Sequence, residues 1–399
     1  MEGPPPPSAS SAPSAPSAPQ PPRYGQASLA DLVPSLLGAL GVPGFTCSLL
    51  PGSVSRVCLL LVDGLGWEML RRQPAAAPFL VSQVDGAEPL TTGFPSTTAV
   101  SVSSLGTGRT PGEHGVVGYT MAVPGLERSM NMLRWALHGA PAQDLVETVP
   151  PEEFFGPQTA FERAAEAGVQ VTKVGPIQLA HTGLTRAVLR GGHYRPAFSL
   201  GDLATESARA LAESSRSFVY AYTPDLDATG HARGVGSEAW RLELGHIDRL
   251  AADIASALPP DAALVVTGDH GMVDVPPERR FDLADHADLR HGVRLLGGEP
   301  RARHVYTRPG AEAEVLAAWR EQLGSEMWIL TRDEAIDAGW FGPRLPDAVR
   351  ERIGDLVAAA HGPVGVTERR VFPLETQLIG HHGSLTAEEQ LVPFLVVRR

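Results

Sequence analysis

The residues best suited to chemistry sit at the ends of apolar runs. VCLLLV (57–62) leads into Asp63, FVYAY (218–222) into PDLDATGH with Asp227 and His231, and ALVVTG (263–268) into Asp269 and His270. LIGHHG places His381 and His382 just ahead of the last apolar run. Singly, each has a plain structural account: Asp63-Gly64 as a turn, Asp227 as a helix cap, His270 as a core imidazole. Gathered on one edge of one sheet they need another reason, because like charges repel, and a bound dication supplies it. Carboxylates and imidazoles without thiolates suit zinc ahead of manganese or iron. Asp227 and His231 are four residues apart, so a helical turn puts them on one face and lets them share an ion.

A second signal is FPSTTAVSVSSLGTGRTPGEHG (94–115), dense in hydroxyls and glycines. Pro95-Ser96-Thr97-Thr98 followed by AVSVSSL reads as a helix N-terminus, where free N–H groups and the helix dipole favour an anion such as phosphate. A threonine hydroxyl becomes a competent nucleophile once its proton is displaced, and metal ligation does that. A Thr helix cap accounts for one hydroxyl and leaves the acidic residues and histidines unexplained. The GxxxxGK[ST] frame of a P-loop is absent.

The elements that must hold these residues alternate. An amphipathic helix runs from Leu29 to Leu40. Apolar runs at 57–62, 169–174, 218–222, 262–267 and 391–397 read as buried strands, and helical patterns fall at 159–167, 203–212 and 238–258. Continuous apolar strands separated by helices predict an α/β fold with a mostly parallel central sheet and helices on both faces, whose ligand crevice lies beyond the strands' carboxyl ends. Residues 284–366 differ. A strand at 304–307, a helix near 312–323, a strand at 327–330 and a helix near 346–360 predict a small α+β insertion that caps the site. Residues 1–24 read as a disordered Pro/Ser/Ala-rich tail ahead of one domain spanning 25–399.

Composition narrows the classes. With 399 residues and a net charge of −12, the chain has no Lys/Arg run, so nucleic-acid binding is not expected. No apolar run approaches the ~20 residues of a membrane span, and the N-terminus carries no secretory signature. Two cysteines exclude a disulfide framework and fit a cytoplasmic setting.

Taken together, these segments resemble the alkaline phosphatase superfamily, and within it the type I phosphodiesterase / nucleotide pyrophosphatase family. VDGLG, PSTTAVSVSSLGTGRTPGEHGVVGY, PDLDATGH, VVTGDHGM and GHHGSLTAEEQLVPFLV follow that family's order across most of residues 26–399. The resemblance implies an alkaline phosphatase-like fold, a two-zinc site and hydrolysis of a small-molecule phosphate ester or nucleotide. It implies that Asp63, Asp269 and His270 hold one metal with Thr98, and that Asp227, His231 and His382 hold the other. It makes Thr98, three residues after Pro95, the nucleophile that forms a phospho-threonine intermediate. His382 is preferred to His381 because it directly precedes Gly383.

The chain departs from the family at HGVVGYT, where Tyr119 stands at the position of a phosphate-binding Asn; its sole Asn is Asn131. Tyr119 and Asn131 are therefore the candidates for holding a phosphate oxygen, and Trp67 and Tyr119 for lining the leaving-group pocket. A phosphomonoesterase of the same superfamily is the alternative enzyme. A metal-stabilised scaffold that binds phosphorylated ligands is the non-enzyme alternative. A sulfatase is disfavoured because Ala99 and Val100 follow Thr98, where it would need a C/S-x-P-x-R frame.

Overall fold

A computed structural model describes residues 18–50 and 52–399; most of the expected tail, residues 1–17, lies outside the described residues. The core is built on Arg56–Val62 (β1), whose RVCLLLV run is apolar on both faces. Alternate residues divide between two hydrophobic clusters: Val57, Leu59 and Leu61 face one, Cys58, Leu60 and Val62 the other. A strand with both faces buried belongs inside a sheet with helices above and below.

The other strands of this sheet are Gln170–Pro176 (β2), His193–Ala197 (β3), Ser217–Thr223 (β4), Ala262–Gly268 (β5) and the C-terminal Leu395–Arg398 (β10). Their order is β10-β5-β1-β4-β2-β3. All neighbours are parallel except β10, which pairs antiparallel with β5. The first cluster takes in Leu29–Ala39 (α1) and the helix carrying the hydroxyl stretch, Thr98–Thr107 (α2). The second takes in Leu200–Ala212 (α3) and Glu238–Ser256 (α5). Helix α5 shows why such a segment is helical: Trp240, Leu244, Ile247, Ala251 and Ile254 recur at three- and four-residue spacing and are buried, and the Ser237 hydroxyl caps its start by accepting from Trp240 N.

The predicted insertion forms its own antiparallel sheet from Val293–Glu299 (β6), Ala302–Thr307 (β7), Met327–Thr331 (β8) and Leu356–Ala360 (β9), in the order β6-β7-β9-β8. It has a separate core with Trp319 and Leu323 from the helix Glu312–Leu323. One expectation fails here. In place of a helix over 346–360 there is a short one at Asp347–Arg350 and then strand β9. LVAAA has helix-forming alanines, but it lies between β7 and β8 and every residue of it is buried. Backbone pairing on both sides and burial outweigh alanine's helical propensity here.

Two further boundaries shift. The run 391–397 divides at Pro393 into Leu391–Val392 and β10. At the N-terminus, Tyr24 and the residues just before it belong to the fold: Arg23 N donates to Thr91 Oγ1 at 2.8 Å, and the Tyr24 hydroxyl donates to Trp340 O at 2.8 Å.

Candidate active site

Strand register assembles the site. Val62 lies opposite Thr223 on one side and Gly268 on the other, so the residues that follow, Asp63, Pro224 and Asp269, emerge side by side from three adjacent carboxyl ends. Pro224 leads into the helix Asp225–Arg233 (α4), which carries Asp227 and His231 one turn apart. His382 follows a two-residue strand, Gly380–His381, that pairs with Val273–Asp274 just after His270. Gly64 holds a φ of +74°, and a Cβ there would press within 2.9 Å of Asp227 Cα, so the turn after Asp63 calls for glycine.

Thr98 is the first residue of α2. Its Oγ1 lies 3.3 Å from Asp63 Oδ1 and 3.2 Å from His270 Nε2. His270 Nε2 is also 3.4 Å from Asp269 Oδ2 and 3.5 Å from Asp63 Oδ1. Asp227 Oδ2 and His231 Nε2 are 3.4 Å apart. Among the described residues, two sets of donor atoms converge closely enough to hold an ion: Asp227, His231 and His382, and Asp63, Asp227 and His270. Asp227 thus lies between the two. The His270 and His382 rings stack with centroids 3.6 Å apart. His381 stays outside both sets, its Nε2 on Leu378 O at 3.2 Å.

The surroundings fit a dication. The Nδ1–H of His231 donates to Gly380 O at 2.7 Å, that of His382 to Ser96 O at 2.8 Å and that of His270 to Gly271 O at 3.0 Å. Backbone acceptors at Nδ1 turn each Nε2 lone pair inward, the tautomer a metal ligand needs. Asp227 Oδ1 and Asp269 Oδ2 are buried without a hydrogen-bond partner, a costly state for a carboxylate with no cation. Burial, followed by repulsion from Asp269 and Asp227, pushes the Asp63 carboxyl well above its ordinary range. Burial also raises Asp227, and burial followed by His270 and His382's other neighbour His231 drives the His382 imidazole far down. Such an arrangement favours neutral groups or a bound cation.

Two cavities meet at Thr98. The first, about 280 Å³, reaches from Asp63 and Thr98 past Leu133 and Leu184 to Lys173 and Tyr194. The second, about 300 Å³, holds Tyr119, Arg134 and Glu299 with the imidazoles of His231 and His382. Tyr119 and Asn131 act together: Asn131 Nδ2 donates to the Tyr119 hydroxyl oxygen at 2.6 Å, which leaves the Tyr119 proton free for the cavity. Asn131 does not fold into the site itself. Trp67 lies in the hydrophobic core and lines neither cavity. Sequence reasoning missed Tyr222, whose hydroxyl donates to Asp63 Oδ2, although FVYAY puts Tyr220 and Tyr222 on one strand face. It also missed Lys173 and Glu299. Burial pushes the Glu299 carboxyl up to about 8, and its Oε1 has no partner.

A search among curated proteins finds no significant match. Solved structures share the fold. Murine ectonucleotide pyrophosphatase/phosphodiesterase 5 superposes with a TM-score of 0.64 at 18% identity, over 86% of this chain and 88% of that one; an inactive threonine-to-alanine form of it was solved with AMP. Phosphonoacetate hydrolase from Sinorhizobium meliloti 1021, in complex with phosphonoformate, superposes with a TM-score of 0.64 at 19% identity, over 86% and 90% of the two chains. The family model for type I phosphodiesterase / nucleotide pyrophosphatase matches residues 57–385, from β1 to beyond His382, and the chain belongs to that family of phosphoric ester hydrolases.

Proposed function

We propose that the protein is a two-zinc phosphodiesterase that works through a phospho-threonine intermediate on Thr98. The observation that carries this reading is the position of Thr98 at the junction of two cavities. A phosphodiester has two substituents on phosphorus, and each finds its own chamber. The relatives solved with AMP and with phosphonoformate support a small-molecule substrate.

Asp63, Asp269 and His270 would hold one ion beside Thr98, and Asp227, His231 and His382 the other. When bound, the ions supply Lewis acidity that eases loss of the Thr98 proton and neutralises charge developing on the phosphoryl oxygens. The chain's own groups do the rest. The α2 N-terminus turns free N–H groups toward the phosphoryl group. Tyr119, its hydroxyl oxygen already accepting from Asn131, donates a hydrogen bond to a nonbridging oxygen. Thr98 Oγ1 bonds to phosphorus as the P–O bond to the leaving alcohol breaks. That alcohol departs into the second cavity, beside His231 and His382, while the retained substituent occupies the first. Water then attacks the phospho-threonine and frees Thr98. Two inversions give net retention, so a chiral-phosphorus substrate yielding inverted product would overturn the scheme.

The direct test is zinc content together with hydrolysis of bis-p-nitrophenyl phosphate and p-nitrophenyl phosphate, by wild type and Thr98→Ala. Expected are about two zinc ions per chain, preference for the diester and a loss of more than ~10³-fold in T98A. Preference for the monoester moves the protein to the phosphomonoesterases. Ligand binding without turnover leaves a phospho-ligand scaffold.

A further inference from the structure

We infer that Lys173 is a specificity-determining residue: its ammonium receives a carboxylate or carbonyl group at the far end of the substituent retained on phosphorus. The inference rests on the diesterase reading above and adds the chemistry its first cavity selects.

Lys173 is the chain's sole lysine; every other basic residue is arginine. It lies within β2, opposite Tyr220 of β4 and Tyr194 of β3, and is 6% exposed. A lysine ammonium has three donors. One is given to the Gly191 carbonyl oxygen. Among the described residues no carboxylate lies within ion-pair distance of Lys173. Glu162, which acts on it through space, is already engaged by Thr159 N and Arg190. A buried cation without an anionic partner is a costly way to hold one carbonyl that a neutral donor could hold. The cavity it faces ends at the nucleophile, which supplies the missing reason.

The walls between the two ends define the ligand further. Tyr194 is fixed by its bond to Pro176 O at 2.6 Å and Tyr222 by its bond to Asp63. With Tyr220, Val102, Leu133 and Leu184 they make an apolar, ring-lined passage. Such a passage suits a flat ring. The retained group is therefore a ring-bearing substituent whose acceptor lies away from phosphorus. Burial brings the Lys173 ammonium down to about 8, so near neutral pH the amine is both charged enough to bind an anion and deprotonated enough to be labelled.

Two p-nitrophenyl diesters test this, one retaining a phenyl group and one a 4-carboxyphenyl group. Wild type prefers the carboxylated ester in kcat/KM. Lys173→Met and Lys173→Gln lower that preference by about tenfold, the worth of one charge-assisted hydrogen bond; K173Q keeps a donor for Gly191 in case K173M fails to fold. A preference unchanged within about twofold in the folded variants overturns the inference. Reductive methylation of zinc-loaded wild type gives a readout that needs no turnover, because Lys173 is the only side-chain amine. Dimethylation at Lys173, slowed more by 4-carboxyphenyl phosphate than by phenyl phosphate, supports the site; no labelling, or equal protection, overturns it. If neither diester is hydrolysed while the carboxylated monoester still protects, the diesterase reading falls and the Lys173 site stands.

Discussion

Two regions of this protein bury charge deeply, and they do so in opposite ways. In the turn of the insertion's β6–β7 hairpin, Arg301 is 1% exposed and meets Glu389 through Nε at 3.1 Å and Nη2 at 2.6 Å, while its Nη1 reaches Val364 O at 2.8 Å. Glu389 accepts in addition from Ser384 N and the Thr386 hydroxyl. Nearby, Arg303 pairs with the buried Glu375 at 2.5 Å. Each of these two arginines is matched by a carboxylate. At the strand ends, Asp63, Asp227 and Asp269 crowd together with three imidazoles, with no arginine or lysine among the described residues paired to any of them, and two of their oxygens are orphaned. Charges buried for structure arrive matched; a mismatched set is held by the fold for something it binds.

The largest effect that tests this contrast is on catalysis. Asp269→Asn keeps an oxygen for the N–H groups of Gly64 and His270, which Asp269 Oδ1 now accepts at 2.9 and 3.0 Å, and removes one negative charge. Metal content should fall and kcat/KM drop by more than ~100-fold, beyond what loss of a hydrogen-bond partner to a ligand costs. The metal-free protein should keep or gain thermal stability. A D269N protein with full activity, or one that unfolds more readily without metal, would erase the distinction.

In the matched region the signs reverse. Arg301→Met leaves Glu389 buried without its partner and should destabilise the protein by about 3–5 kcal/mol, measured by urea unfolding of the metal-free form, whereas Arg301→Met with Glu389→Met should recover much of that loss. A smaller effect separates the regions in a single protein. Chelation should lower the stability of wild type by about 2.7 kcal/mol for an ion present at 100 times its Kd, and leave D269N nearly unmoved. Equal chelator sensitivity in both would place the ion elsewhere.

How far the sequence discloses these regions follows from how local their signals are. VCLLLV, FVYAY and ALVVTG are buried on both faces and stand out by apolarity alone, and each strand hands its polar residue to the same sheet edge. Asp227 and His231 share a helical face by spacing. The edge strand HYRPA (193–197) has little apolar patterning because it pairs on one side only. LVAAA hides its strand because nothing local outweighs alanine's helical preference. The pairing of Asn131 with Tyr119 depends on a small three-stranded sheet that places Asn131 opposite Thr120. Lys173 and Glu299 come to the cavities from separate sheets, a relation no stretch of sequence contains.

The smallest effect concerns buried histidines outside the site, which the contrast assigns to the matched class. His304 is fully satisfied as a neutral ring: its Nε2–H donates to Val117 O at 2.7 Å, and its Nδ1 accepts from Gly354 N at 3.1 Å. Protonation would remove that acceptor in an apolar setting, and burial, reinforced by Arg332, lowers the ring from 6.5 to about 4. Between those values the unfolded chain binds the proton and the folded one does not. The ring's contribution is therefore fully present above 6.5 and is lost progressively as pH falls toward about 4. From pH 6.5 to 5.5 the loss for one such group is about 1 kcal/mol. His304→Gln removes the titration, so the difference in unfolding free energy between wild type and variant should narrow by that amount over the same step. An unchanged difference would mean that His304 takes up its proton in the folded state as readily as in the unfolded one, and would take it out of the matched class.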